Sequence, residues 1–163
     1  MAIVAFLCLS LKKTIIFDTK QNKMLSKKTQ YAIYALVRLA KDYQKAPLLI
    51  QTISTDEKLP KKFLESILLD LKNAGYVGSK KGKGGGYYLI KSPEEINLAE
   101  VIRLFDGAIA LLPCASFKYY ESCTHCKDEN SCGVRQVIKE LRDETVRILK
   151  QTSLAEIIRR ELK

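Results

Sequence analysis

The stretch from Pro60 to Ile90 narrows the possible folds more than any other part of the chain. Its first half, PKKFLESILLDLKNAG, spaces Phe63, Leu64, Ile67, Leu68 and Leu71 so that one apolar stripe runs along a helix. Pro60 suits the first helical turn, where its missing N–H goes unmissed, and Gly75 suits a left-handed exit. The second half, YVGSKKGKGGGYYLI, reads as a short strand at Tyr76 and Val77, a basic glycine-rich tip from Lys80 to Gly86, and a returning strand from Tyr87 to Ile90. A helix followed by a ribbon with lysines at its tip is the outline of a winged-helix DNA reader. The predicted fold class is therefore mainly α with a small β-wing, a winged helix-turn-helix domain carrying a long C-terminal dimerisation helix.

The residues on either side fit that outline. Ser26 is placed to cap a helix whose apolar face uses Ile33, Leu36, Val37 and Ala40. Lys27 and Lys28 fall in its first turn, where positive charge opposes the helix dipole, an arrangement that suits a phosphate but also a solvated surface. Pro47 marks a break, Leu49 to Glu57 reads as a short second helix, and Lys58 and Leu59 make the turn into the helix at Pro60. Two helices joined by a tight turn, the second basic at its start, fit a helix-turn-helix. Further on, Asn97 and Glu100 have capping-box spacing ahead of Val101, Ile102, Leu104 and Phe105, and Gly107 closes that helix.

Charge is concentrated on the same part of the chain. Of a formal net charge of +10, residues 24–91 hold 13 lysines and arginines against 5 carboxylates, while residues 92–163 are balanced to within one charge. A solubilising surface would not confine the excess to one half; a nucleic-acid footprint would. The glycines do not make a nucleotide loop, because both nucleotide fingerprints need a helix directly after them and here Tyr87, Tyr88, Leu89 and Ile90 favour a strand. As a wing tip, Lys80, Lys81, Gly82, Lys83 and Gly84 are placed to meet a sugar-phosphate wall or the minor groove. In the helix, Lys61, Lys62, Glu65 and Ser66 lie off the apolar face; the lysines supply salt-dependent affinity, and Ser66 and Glu65 can touch base edges. The candidate DNA contacts are thus Ser26, Lys27, Lys28, Lys58, Lys61, Lys62, Glu65, Ser66, Lys80, Lys81, Gly82, Lys83 and Gly84.

Two other regions carry chemistry. The segment from Ala108 to Ser131 has no period and contains Cys114, Cys123 and Cys126, with Cys132 just beyond and His125 inside it. A loop of that length usually has a function or a cross-link. Four thiolates within nineteen residues suit tetrahedral zinc or an iron–sulfur cluster of the 2Fe–2S or 4Fe–4S type, with reduced, unligated thiols as the plain alternative. His125 reads as an exposed loop residue. Beyond the loop, Val134, Ile138, Leu141, Thr145 and Ile148 form a seam of coiled-coil period, which fits a dimer helix, or else an ordinary core-facing one. Ser153 and Glu156 cap a last short helix through Ile157 and Ile158.

The division that follows is an extension over 1–23, a winged helix-turn-helix domain over 24–107, a cysteine-rich sensing loop over 108–132 and a dimerisation plus C-terminal helix over 133–163. The apolar opening MAIVAFLCLSL is too short to span a bilayer and lacks a basic region before it, so Met24 is the expected working start and Cys8 has no assigned role. With a single histidine in the loop, no base–orienter constellation for an enzyme is visible.

From Met24 onward the chain resembles the Rrf-two family (IscR, NsrR and CymR) of bacterial winged-helix regulators. The matching stretches are MLSKKTQYAIYALVRLA, LPKKFLESILLDLKNAGYVGSKKGKGGGYYLIKSPEEINLAEVIRLFDG, and the cysteine loop with the long helix after it. The resemblance implies a cytoplasmic homodimer on a pseudo-palindromic double-stranded operator, with the Pro60–Asn73 helix in the major groove and the wing in the minor groove. It also implies a cysteine loop that senses iron–sulfur, redox, nitric oxide or sulfur status. An iron–sulfur cluster, zinc or no ligand, and a cysteine-biosynthesis enzyme as partner, all stay open on that basis. Lys81 stands where family members commonly carry arginine, so the charge is kept and the planar fork lost. Cys114, Cys126 and Cys132 correspond to the ligand trio of cluster-binding members with a lengthened first gap; Cys123 is additional, and Arg135 stands where IscR has a histidine.

Overall fold

A computed structural model describes residues 25–162. The extension 1–23 with Cys8, and the expected start at Met24, lie outside the described residues. Ser26 caps α1 (Lys27–Lys41): its hydroxyl accepts from the Thr29 amide at 3.1 Å, and its own amide donates to Asp106 Oδ2 at 3.0 Å. Ala32, Ala35, Leu36, Val37, Leu39 and Ala40 are buried along α1, whereas Ile33 is only half-buried. The apolar coverage is thus wider than the single face expected from spacing, because other elements pack around α1 from several sides.

The helix-turn-helix follows as α2 (Ile50–Asp56) and α3 (Lys61–Asn73). The turn between them passes through Lys58 in the left-handed region, and it is closed by Ser54, whose hydroxyl donates to the Leu59 carbonyl at 2.7 Å. Pro60 is the cap residue of α3, one position before the first turn. Leu64, Ile67, Leu68 and Leu71 of α3 are fully buried, and Phe63 at the margin meets Tyr31 edge-on with ring centroids 5.6 Å apart.

Gly75, at φ 77°, turns the chain into an antiparallel ribbon of β1 (Val77–Lys80) and β2 (Gly86–Leu89), with Val77 opposite Leu89 and Lys80 opposite Gly86. The ribbon is not free-standing. Leu48 pairs with Tyr87, amide to carbonyl in both directions at 2.9 and 2.8 Å. A Cβ on Gly86 would lie 2.4 Å from the Leu48 carbonyl oxygen, at a φ of 150° that L side chains avoid.

Asn97 caps α4 (Leu98–Phe105), accepting from the Glu100 amide at 3.1 Å, and Gly107 at φ 78° ends it. After one 3₁₀ turn at Pro113–Ala115 come α5 (Gly133–Gln151) and α6 (Leu154–Glu161). α6 does not continue α5. The chain turns at Thr152, Asn97 and Ser153 pair as an isolated bridge, and Leu154 is fully buried in the core that α1 and α3 share. Lys41 and Glu161 then join α1 to α6 at 2.6 Å.

We expect Gly86→Ala to unpair Leu48 from Tyr87 and lower the unfolding free energy by roughly 2 kcal/mol, from left-handed strain plus backbone overlap. Gly82→Ala, with open space around it, should lose less. Urea denaturation of both variants, with amide exchange read at Leu48 and Tyr87, checks this; equal losses would show that the Leu48 pairing does not hold the wing.

Candidate nucleic-acid interface and cysteine loop

Lys58, Lys61, Lys62, Glu65 and Ser66 are exposed at the turn before α3 and along its first half, and Lys80, Lys81, Gly82, Lys83 and Gly84 are exposed at the ribbon tip. Several cations on α1 and just after it are paired. Arg38 bonds Asp42 and Asp56, Lys41 pairs with Glu161, and Lys45 pairs with Asp42. Lys58, Lys61, Lys62, Lys80, Lys81 and Lys83 have no ion-pair partner among the described residues. A lysine without a carboxylate partner can meet a phosphate with no internal pair to break.

The other candidates divide. Lys27 is exposed and reaches only Gln30, at 3.3 Å. Lys28 pairs with Asp70 of α3 at 2.7 Å and lies over the Phe105 ring, so it braces α1 against its neighbours. The Ser66 hydroxyl donates to the Phe63 carbonyl at 2.8 Å, and Ser26 is occupied as a cap. Lys72, which spacing did not single out, donates to Ser79 at 2.8 Å and ties the end of α3 to the wing.

The cysteine loop is fastened to α5 by two arginines. Arg135 Nε donates to the Cys114 carbonyl at 3.0 Å and faces the Glu129 carboxylate at 3.5 Å. Arg142, the one buried residue on α5 among those described, donates to the Ala115 carbonyl, bonds Asp143 and stacks on the Phe117 ring at 3.8 Å. Glu129 accepts from the Tyr120 hydroxyl at 2.7 Å and the Cys123 amide at 3.0 Å, which hold its carboxyl below the usual range. Neither arginine was singled out as a fastener by sequence. Arg142 follows Ile138 by four positions, on the stripe that faces the protein, and a cation there is the signal that points to a buried partner.

Of the four loop cysteines, the structure brings Cys126 and Cys132 face to face, with sulfurs 3.4 Å apart. Cys132 is the cap residue of α5. The Arg135 amide, the Cys126 thiol and the Val134 amide all stabilise its thiolate and lower its pKa. Cys126 is pushed up to about 12, because it shares its proton with Cys132 and then with Cys123. Cys114 is buried within the 3₁₀ turn, and His125 is exposed. Thiolates suit zinc or an iron–sulfur cluster chemically. The arrangement does not fit one, since among the described residues no group of three or more His, Cys, Asp or Glu side chains could hold a metal ion.

The seam expected on α5 divides between two faces. Ile138 and Thr145 are half-buried on the protein side, while Val134, Val137, Leu141 and Ile148 are 66%, 61%, 49% and 49% exposed. Val137 therefore replaces Ile138 in the outward stripe. No helix among the described residues is long and apolar enough to cross a membrane.

Comparison with known proteins follows the same lines. The family model Rrf2, described as an iron-dependent transcriptional regulator, matches residues 25–160. An rrf2-like HTH-type transcriptional regulator of Rhodobacter capsulatus is 43% identical over 121 residues, covering 72% of this chain and 81% of its own. The HTH-type transcriptional regulator CymR of Bacillus subtilis is 30% identical over 121 residues, covering 74% of this chain and 84% of its own. The solved structure of CymR, described as the global cysteine regulator of B. subtilis, superposes with a TM-score of 0.69 at 27% identity, over 82% of this chain and 94% of that one. These relatives are transcriptional regulators, not enzymes.

The two loop thiols should differ in reactivity. Near neutral pH the lowered pKa of Cys132 leaves a larger thiolate fraction, while Cys126 stays protonated until strongly alkaline pH. Limiting iodoacetamide on reduced protein, followed by peptide mass mapping, should label Cys132 well before Cys126. Preferential labelling of Cys126 would reverse the assignment.

Proposed function

We propose that this chain, which belongs to the Rrf2 family of transcriptional regulators, binds a pseudo-palindromic operator as a homodimer and takes its signal through the sulfur chemistry of its cysteine loop. The observation that carries the DNA reading is the set of lysines without ion-pair partners at the start of α3 and at the wing tip, on a chain whose Lys28, Arg38 and Lys41 on α1 are paired. α3 enters the major groove with Lys61 and Lys62 on phosphates and Glu65 near base edges, and the wing follows the backbone through Lys80, Lys81 and Lys83. The outward stripe of Val134, Val137, Leu141 and Ile148 supports pairing of two copies through α5, since an amphipathic helix of 19 residues leaves that surface apolar. Two reading heads set by one dyad would then meet two half-sites.

The relatives point two ways for the signal: iron for the family model, cysteine for the solved CymR. The facing Cys126 and Cys132 thiols, outside any assembled ligand group, favour thiol chemistry over a resident cluster. On this reading the protein works in the cytoplasm, where loop thiols start out reduced.

Replacing Lys61, Lys62 and Lys81 together by Ala should weaken operator binding and reduce the slope of log K against log salt by about 5, close to one for each phosphate no longer neutralised by the three lysines of both copies. Fluorescence anisotropy over a salt series measures it; an unchanged slope would place the reading surface elsewhere. Protein isolated anaerobically should hold far less than one iron or sulfide per chain. Stoichiometric iron and sulfide would replace the thiol reading with a cluster.

A further inference from the structure

The Cys126–Cys132 pair can do more than accept or lose a proton. Its sulfurs are 3.4 Å apart, while a disulfide needs about 2.05 Å, so the bond requires a shift of little more than 1 Å. Both residues are partly accessible, and both sit where the chain can move or transmit movement. Cys126 lies in the loop, whose local hold is a turn from the Cys126 amide to the Cys123 carbonyl at 3.4 Å. Cys132 is the cap residue of α5 and begins the helix that carries the outward apolar stripe.

We infer that Cys126 and Cys132 form a reversible intramolecular disulfide in response to a peroxide oxidant, and that closing it lowers operator affinity. This rests on the regulator reading above. In the first step the Cys132 sulfur attacks one peroxide oxygen, the O–O bond breaks, and the departing hydroxide takes up the thiol proton as water, leaving a sulfenic acid. In the second the Cys126 sulfur attacks the sulfenic sulfur, the S–S bond forms, and the sulfenic oxygen leaves as a second water with the Cys126 proton. Two thiols are oxidised and one peroxide is reduced to two waters. A dithiol reductant reverses the bond by thiol–disulfide exchange.

The route from that bond to the DNA passes through named contacts. Drawing residue 126 toward the start of α5 moves the loop limb that Glu129 holds by the Cys123 amide and the Tyr120 hydroxyl. Glu129 faces Arg135, which also grips the Cys114 carbonyl, and the next turns of α5 carry Arg142 on Ala115 and Phe117. The first turns of α5, with Val134 and Val137, are therefore reset relative to the rest of the stripe, and the spacing of the two reading heads changes with them.

The test uses the full chain as isolated, reduced and then titrated with hydrogen peroxide, in wild type, Cys126→Ser, Cys132→Ser and Cys114→Ser. Non-reducing peptide mapping should find a 126–132 linkage in wild type and Cys114→Ser, with operator affinity falling at least tenfold and returning with dithiothreitol. Cys126→Ser and Cys132→Ser should keep their affinity through the titration. A different pairing, no linkage, thiols protected by bound iron or zinc, or a 126–132 linkage that leaves affinity unchanged would each overturn the inference. Failure of the reduced wild type to bind DNA would instead sink the regulator reading, and the peptide map would still report whether the bond forms.

Discussion

The structure depends on α1 being covered from several directions at once. Ala35 and Leu36 are fully buried, and α3, α4, α6 and β2 all pack against this one helix. That constraint places the C-terminal helix. Because Leu154 fills the same core as Leu36 and Leu64, the chain must come back to the reading unit after α5 rather than run on into solvent. The Asn97–Ser153 bridge and the Leu154 amide on the Ile96 carbonyl at 3.0 Å fix where it returns. α5 is therefore held at its far end by the DNA-reading domain, and its near end is held by the cysteine loop.

A helix held in this way is suited to carry a signal, provided that its attachments differ in character. The far attachment is backbone pairing and apolar burial, which neither redox chemistry nor modest charge changes disturb. The near one is made by guanidinium groups on loop carbonyls, Arg135 on Cys114 and Arg142 on Ala115. A buried guanidinium needs partners, and Arg142 finds them in a carbonyl, an adjacent carboxylate and an aromatic face. The loop and the helix thus share their polar contacts, so a change of loop shape cannot leave the start of α5 untouched. Propagation to the DNA requires no movement of the core that α1 organises.

What the sequence made legible was mostly local. The caps at Ser26, Asn97 and Ser153, the left-handed exits at Gly75 and Gly107, and the buried stripe of Leu64, Ile67, Leu68 and Leu71 all follow from residues within a turn or two of one another. The Leu48–Tyr87 pairing was not legible, because nothing in PLLI announces a strand that a distant residue will recruit. Spacing alone could not place the α5 seam either. Residues 134, 137, 138, 141, 145 and 148 contain two overlapping stripes, and the packing of α4 and of the 3₁₀ turn against α5 decides which of Val137 and Ile138 turns outward. The cysteine count suggested four equivalent donors, whereas folding buries Cys114 and sets Cys126 against Cys132.

Net charge shows a related limit and how structure removes it. A surplus of cations over residues 24–91 says that the domain favours polyanions, but not which of its lysines meet them. Pairing does. Lys28 looked as suited to a phosphate as Lys61, yet Lys28 commits its charge to Asp70 and its side chain to Phe105, holding α1 against α3 and its neighbour α4. Using it on DNA would loosen the frame that aims α3. Lys61, Lys62, Lys80, Lys81 and Lys83 carry no such duty, so phosphates can displace their solvent and counterions without weakening the fold. The same domain thereby contains cations committed to holding its helices together and cations free of ion pairs among the described residues, the latter including Lys61, Lys62, Lys80, Lys81 and Lys83 on the helix and ribbon between Pro60 and Ile90.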